Sequence, residues 1–259
     1  METWRGPLAL EPDPAWPRGL PLRLEGVRVR RRGGEILQGV DLAFEPGRRF
    51  VLLGASGAGK STLLRLLNRL EDPSAGRITI GEIPLASLPI RAVRSGVGLV
   101  FQGPRPLPGT VAENLAYPFT VRGLSAPDPD RMGAALEEVG LDPSWLGREA
   151  LGLSGGERQR LAMAVALGAN PEILALDEPT AALDPASARR LADLLAARAD
   201  RTGLRTIAVT HYREHAAWLG EEAVVLDTGR IIDRGPLDEV LRRCDSSIWA
   251  GTSPISGAP

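Results

Sequence analysis

Apolar and polar residues alternate in three early stretches: Leu22-Arg23-Leu24-Glu25, Val27-Arg28-Val29-Arg30 and Gly39-Val40-Asp41-Leu42-Ala43-Phe44. A period of two sends successive side chains to opposite faces, so these stretches predict half-buried strands. Phe50-Val51-Leu52-Leu53 has no polar alternate and predicts a short strand buried on both faces. Residues 61–70 switch to helical spacing, with Leu63, Leu64, Leu66, Leu67 and Leu70 on the inner side. The stretch from about 90 to 168 is different. It includes a strand at 97–101 and then helix-like segments at 110–115, 132–139 and 158–167, which together predict a helical insertion. Short apolar runs then resume at 173–176, 206–209 and 223–226, with a helical pattern over 185–199 between the first two. Buried strands alternating with helices predict an α/β fold built on a parallel sheet. No internal repeat interrupts the pattern.

Composition frames this core. Pro7, Pro12, Pro14, Pro17 and Pro21 predict an extended N-terminal tail over residues 1–21. A Ser/Gly/Pro-rich stretch predicts a flexible tail over 246–259, leaving one domain at 22–245. A net charge of −1 argues against a general nucleic-acid binder. One cysteine, Cys244, excludes an intrachain disulfide framework. No apolar run reaches the ~20 residues that cross a bilayer, so work at a membrane would need a partner to hold the chain there. One imbalance changes the picture more than these totals. The 31 basic residues include a single lysine, Lys60. A chain that uses arginine wherever positive charge suffices marks the position that keeps lysine as one where shape matters.

Lys60 lies in Gly54-Ala55-Ser56-Gly57-Ala58-Gly59-Lys60-Ser61-Thr62, directly after the buried strand at 50–53 and before the predicted helix. In G-x-x-x-x-G-K-[ST] between a strand and a helix, the glycines let backbone N–H groups approach phosphates, and the compact ammonium fits among their oxygens. Ser61 would offer a hydroxyl to Mg²⁺, and Thr62 a phosphate contact. A second motif, Ile173-Leu174-Ala175-Leu176-Asp177-Glu178-Pro179, ends an apolar strand in two acids. We assign Asp177 to a metal, directly or through water, and Glu178 to the general base that takes a proton from an attacking water. Alone, this pair would read as a solvated acidic turn; the glycine loop makes the chemical reading the stronger one. A third motif, Leu153-Ser154-Gly155-Gly156-Glu157-Arg158-Gln159, is a capping box that would simply start a helix. Its two glycines also leave bare N–H groups that an anion can approach, so Ser154, Gly155 and Gly156 are candidates for a phosphate contact. One chain already has one such loop, and the second is best explained as serving a nucleotide held by another copy.

With these motifs in place the chain resembles the ATP-binding cassette (ABC) ATPases, in particular the cassette subunit of a transporter, over about residues 22–243. In the family's order stand the loop at 54–62, Gln102, the signature at 153–159, the acidic strand end at 173–178, Ala182-Leu183-Asp184, and His211. The resemblance implies a P-loop, RecA-like core with an antiparallel β subdomain and an inserted helical subdomain at about 90–168. It implies ATP and Mg²⁺ as cofactors, with Ser61, Gln102 and Asp177 toward the metal. Glu178, Gln102 and His211 would serve hydrolysis. It further implies a head-to-tail homodimer and an integral membrane permease as partners, with the chain peripheral on the cytoplasmic face of the cell membrane.

The sequence departs from the family pattern in three places. Arg31 stands where an aromatic commonly stacks on adenine, and a guanidinium can stack on a base; a solvated basic turn is the plainer reading. Val165 stands where many cassettes carry Arg, and Tyr212 follows the histidine where Asp is common. Non-transporter cytosolic ABC ATPases are the alternative class. Those of DNA repair carry a long coiled coil between the glutamine and the signature, whereas only a few dozen residues without sustained heptads lie there. Translation factors normally carry two cassettes, and a degenerate cassette would lack Glu178 or His211. For cargo, 101–115 together with Leu67-Asn68-Arg69-Leu70 is similar to cassettes of phosphate importers and of iron-associated metal exporters.

Overall fold

The structure is a computed structural model, and it describes residues 6–244; the predicted tail at 246–259 lies outside them. The chain forms the hairpin β1 (Leu22–Arg31) and β2 (Gly34–Phe44), then β3 (Arg49–Leu53) and α1 (Lys60–Leu67). It returns through β4 (Ala75–Ile80) and β5 (Ile83–Pro84), then continues with α2 (Ile90–Gly96) and β6 (Val97–Val100). Three helices follow: α3 (Val111–Thr120), α4 (Pro129–Glu138) and α5 (Gly155–Gly168). The remainder is β7 (Ile173–Asp177), α6 (Pro185–Thr202), β8 (Arg205–Val209), α7 (Arg213–Leu219), β9 (Glu222–Asp227), β10 (Arg230–Pro236) and α8 (Leu237–Arg243).

The alternating stretches pair antiparallel in a four-stranded sheet of order β2-β1-β4-β5. The continuous apolar runs form the second sheet, β10-β9-β3-β8-β7-β6, parallel throughout except for the edge strand β10. Every residue of β7 and β8 is buried, as strands covered on both faces require. Register matters most for function. Leu52 pairs with Val209, Val209 with Asp177, and Leu176 with Val100, so four adjacent strands end at one level. The loops after β3, β6, β7 and β8 therefore open on one edge of the sheet, where ligands of open α/β sheets sit.

Three expectations need correction. The helical insertion does not begin at 90, because β6 is an edge strand of the main sheet and α2 packs against it; α3, α4 and α5 form the helical body. A four-residue strand embedded between helices gives too short a pattern to bound an insertion. Leu70 is not on an inner helix face. Helix α1 stops at Leu67, Arg69 takes a left-handed φ of 53°, and Leu70 points outward, 45 % exposed.

The third correction concerns the N-terminal segment, which is extended but packed. Leu8 and Leu10 join the apolar cluster under α3–α5, and Trp16 joins the cluster between the sheets. Leu10 N–H donates to the Gly168 carbonyl at 3.1 Å, and Asn170 donates back to the Leu10 carbonyl at 2.9 Å. Trp16 Nε1 donates to Glu172 at 3.2 Å, and its ring fills the space that a Cβ on Gly96 would take. The prolines stiffen this strap, and its three apolar anchors hold it down. Trp16→Ala should therefore destabilise the domain by about 3–5 kcal/mol, through lost burial, a residual cavity and the loss of one of the hydrogen bonds to Glu172, which keeps the Gly19 N–H and Arg205. Urea unfolding checks this; an unchanged midpoint would mean that the strap is a tail after all.

Candidate functional site

Four loops converge on a cleft of about 280 Å³. Its floor is the glycine loop at 54–59. Gly54 has φ 141°, and a Cβ there would lie 2.1 Å from the Leu226 carbonyl oxygen. Gly59 has φ 103°, and a Cβ there would meet the Leu37 side chain at 2.7 Å. Both positions exclude any larger residue, which holds the loop tight against β9 and β2. Gly59 caps α1 without a side-chain acceptor, so no side chain competes for the first-turn N–H groups, which an anion could accept from. Lys60, 5 % exposed, donates from Nζ to the carbonyls of Gly54 at 2.7 Å and Ala55 at 2.8 Å. Two of its three donors are thus spent on shaping the loop. Burial lowers its pKa, and the charges of Glu178 and Asp177 oppose that shift.

Ser56, Gly57, Gly59, Lys60, Ser61 and Thr62 line this cleft together with Gln102, Asp177, Glu178 and His211. Gly54, Ala55 and Ala58 do not line it; Gly54 and Ala58 are buried, and Ala55 is exposed. A Mg²⁺-class cation fits the donors present. Ser61, Gln102 and Asp177 offer hydroxyl, carboxamide and carboxylate oxygens to the same space, with no sulfur or imidazole in the set. Among the described residues no cluster of three or more His, Cys, Asp or Glu could enclose a metal on its own.

Glu178 is the most perturbed group in the cleft. It is 5 % exposed and its backbone is left-handed, φ 54°, tied by its N–H to the Val209 carbonyl at 3.1 Å. Burial, and then the neighbouring Asp177 charge, push its pKa up to about 7, against the opposing pull of Lys60. His211 Nε2 stands 3.0 Å from Glu178 Oε1. The two are not aligned for a hydrogen bond, and Glu178 Oε1 is a buried oxygen without a hydrogen-bond partner. Burial, and then Lys60, hold the His211 pKa below its ordinary value. Both shifts disfavour an ion pair between the two side chains.

The signature residues do not line this cleft. Ser154 caps α5, accepting from Glu157 N–H at 3.3 Å while Glu157 accepts from Ser154 N–H at 2.7 Å. The capping-box reading is therefore correct locally. Ser154 and Gly155 are exposed, so the start of α5 is open to another molecule. Arg31 lines the cleft, but its guanidinium is forked onto Glu71, with Nε to Oε1 at 3.1 Å. Asp184 caps α6 by accepting from Ser187 N–H at 2.9 Å.

The sequence reading missed Ile36 and Val209, apolar residues that also line the cleft. It also missed how tightly the motifs touch. A Cβ on Gly156 would lie 3.0 Å from the Ala182 carbonyl oxygen, so the signature glycine sits where α5 abuts the turn before α6 with little room for a side chain. The G-G pair was the available signal for that close approach.

The profile of a family described as ABC transporter matches residues 37–181. The methionine import ATP-binding protein MetN of Caulobacter vibrioides is 40% identical over 213 residues, covering 80% of this chain and 64% of that protein. A bacterial Atm1-family ABC exporter solved with ATP bound superposes with a TM-score of 0.77 at 32% identity, covering 90% of this chain and 42% of that one. A dimeric ATP-binding cassette in a post-hydrolysis state, bound to ADP and Pi, gives a TM-score of 0.77 at 30% identity, covering 83% and 98%. The chain spans 62–64% of the length of the curated relatives it matches.

Proposed function

Because the chain belongs to the ABC transporter family of ATPases, we propose that it binds and hydrolyses ATP to drive a membrane permease. The observation that carries this is the convergence of Lys60, Asp177, Glu178 and His211 on one cleft at the level ends of adjacent parallel strands. The third donor of Lys60 and the N–H groups of the glycine loop would hold the outer phosphates. Mg²⁺, held by Ser61, Gln102 and Asp177, would neutralise charge on them. Glu178 would accept the proton of a water as its oxygen bonds to the γ-phosphorus and the bond to the ADP oxygen breaks. Neutral His211 would donate a hydrogen bond to the γ-phosphate. Arg31 is a weaker candidate for the base, because leaving Glu71 to stack would break a two-point ion pair.

The exposed start of α5 supports a head-to-tail homodimer, in which Ser154, Gly155 and Gly156 of one copy close the site of the other. A membrane partner is supported by an apolar groove of about 620 Å³ between the end of β6, α3 and α5. Phe101, Leu107 and Tyr117 stand there 43–48 % exposed, which marks a protein contact. No helix among the described residues is long and apolar enough to cross a membrane, so this groove would seat a permease segment and hold the chain at the cytoplasmic face. The relatives described above that name a cargo name methionine, which moves the cargo away from phosphate or a metal ion. We favour import of a solute of the methionine kind, selected by the permease.

Subunit mixing tests the shared site. Lys60→Ala and Ser154→Arg chains, each inactive alone, should regain about a quarter of the parental turnover per site when mixed in equal amounts, because about half of the dimers are then mixed and each of those has one of its two composite sites intact. Failure at every mixing ratio would sink the head-to-tail arrangement.

A further inference from the structure

The chain has two histidines, His211 and His215, one helical turn apart. Both reach the same turn, the one that follows β7. His211 Nε2 approaches Glu178, as described above, and His215 Nδ1 lies 2.9 Å from the Thr180 hydroxyl. Thr180 is 1 % exposed, so its hydroxyl is screened from water and depends on this partner. The turn is tight: Ala181 N–H donates to the Glu178 carbonyl at 3.3 Å, and Leu183 N–H donates to the Thr180 carbonyl at 3.2 Å.

That turn has a fixing problem. Glu178 has a left-handed backbone without being glycine, a conformation that persists only where its surroundings impose it. On one side the Glu178 N–H is tied to β8 at Val209. On the other side, the side-chain tie two residues on is His215 to Thr180. His215 is itself well held. Its ring stacks on Trp218 at 5.1 Å with 26° between planes, and Tyr212 lies 4.8 Å away. Arg189 sits 5.5 Å over the Trp218 ring. Burial holds its pKa below the ordinary value, and with the ring proton on Nε2 the Nδ1 lone pair accepts from the Thr180 hydroxyl.

We propose that His215 is a positioning residue for hydrolysis: through the Thr180 hydroxyl it fixes the turn that aims the Glu178 carboxylate. The proposal rests on the reading of Glu178 as the base. It gives the segment after β8 two jobs on one turn, with His211 at the reacting end and His215 one turn behind, clamping the backbone.

The test uses three variants of the full chain, with ATP turnover and nucleotide affinity measured for each. His215→Asn keeps a polar atom one bond from Cγ, where Nδ1 sits, but discards the ring. His215→Phe keeps the ring stack and discards the polar atom. Thr180→Val keeps the shape of the threonine and removes its hydroxyl. His215→Phe and Thr180→Val should each lower kcat by about tenfold with KM for ATP within about twofold, since a misaimed base costs chemistry and not binding. Their combination should be no worse than either alone, because they break the same link. His215→Asn should retain most of the turnover. Parental kcat in either His215→Phe or Thr180→Val overturns the proposal. So does a His215→Asn chain as impaired as His215→Phe, which would make the ring and not Nδ1 the active feature. Glu178→Gln in the same assay separates the two readings. Parental turnover there defeats the base assignment itself, whereas a dead Glu178→Gln beside a fully active His215→Phe defeats only the positioning role.

Discussion

Glu178→Gln should bind ATP with near-parental affinity and turn it over at least ~100-fold more slowly, the loss expected when a general base is removed without a change of shape. The carboxamide occupies the same space between Asp177, Lys60 and His211 but has no site for the water's proton. The carboxyl pKa of about 7 adds a second expectation. In the parent chain kcat/KM for ATP, which reports the groups of the nucleotide-free protein, should fall as pH drops through about 7, as the base becomes protonated; in Glu178→Gln that acid limb should vanish. Stability should move the opposite way. A carboxyl whose folded pKa lies above its ordinary value supports the fold fully below about pH 4.5, and that support is lost as pH rises through about 7. Gln buries no charge. Without nucleotide, Glu178→Gln should therefore be more stable than the parent at pH 8, by about 1–3 kcal/mol, and indistinguishable from it at low pH. Urea unfolding at the two pH values reads this directly. Ordinary turnover in Glu178→Gln would remove Glu178 from the mechanism.

The site was legible from the sequence wherever its chemistry is local. The loop at 54–62 and the acids at 177 and 178 each follow an uninterrupted apolar strand, and that junction brings them to one cleft. Gln102 and His211 were found only by their order along the chain, yet the level ends of β6 and β8 bring them to the same cleft. What escaped depends on partners far apart in sequence. Nothing near Trp16 announces Glu172 or Gly96, so five prolines read as a tail. Nothing near Arg31 announces Glu71, forty residues on, which ties up the guanidinium offered as a base-stacker. Thr180 and His215 look like filler beside famous neighbours; only the fold makes them a pair. Leu70 escaped for a local reason: helical periodicity continued in the sequence to three residues past Leu67, where the helix ends, and one past Arg69, whose backbone turns left-handed.

Lys60→Arg should abolish most ATP turnover, by roughly 100-fold or more, although the charge is kept. Arg205 shows what an arginine needs in this protein's interior. It is fully buried, and its guanidinium spreads over three separate acceptors: the carbonyls of Phe44 and Leu20, both at 2.8 Å, and Glu172 at 3.4 Å. That is a wide, fork-shaped cradle. The acceptors of Lys60 are the adjacent carbonyls of Gly54 and Ala55, converging on a single nitrogen at 2.7 and 2.8 Å. A tetrahedral ammonium meets both and still aims a third donor into the cleft; a planar guanidinium of greater width has no equivalent pose. The loop cannot widen to receive it either, since Gly54 and Gly59 are already packed against Leu226 and Leu37 too closely for a Cβ. The larger head would fill the space meant for phosphate oxygens or lift the loop off β9, and either outcome costs nucleotide binding as well as turnover. Equilibrium binding of a fluorescent ATP analogue, alongside phosphate release, separates the Lys60 defect from that of Glu178→Gln, which should keep binding intact. If Lys60→Arg hydrolyses ATP at the parental rate, the one lysine among the 31 basic residues stands there by chance, and the shape of the loop does not select for it.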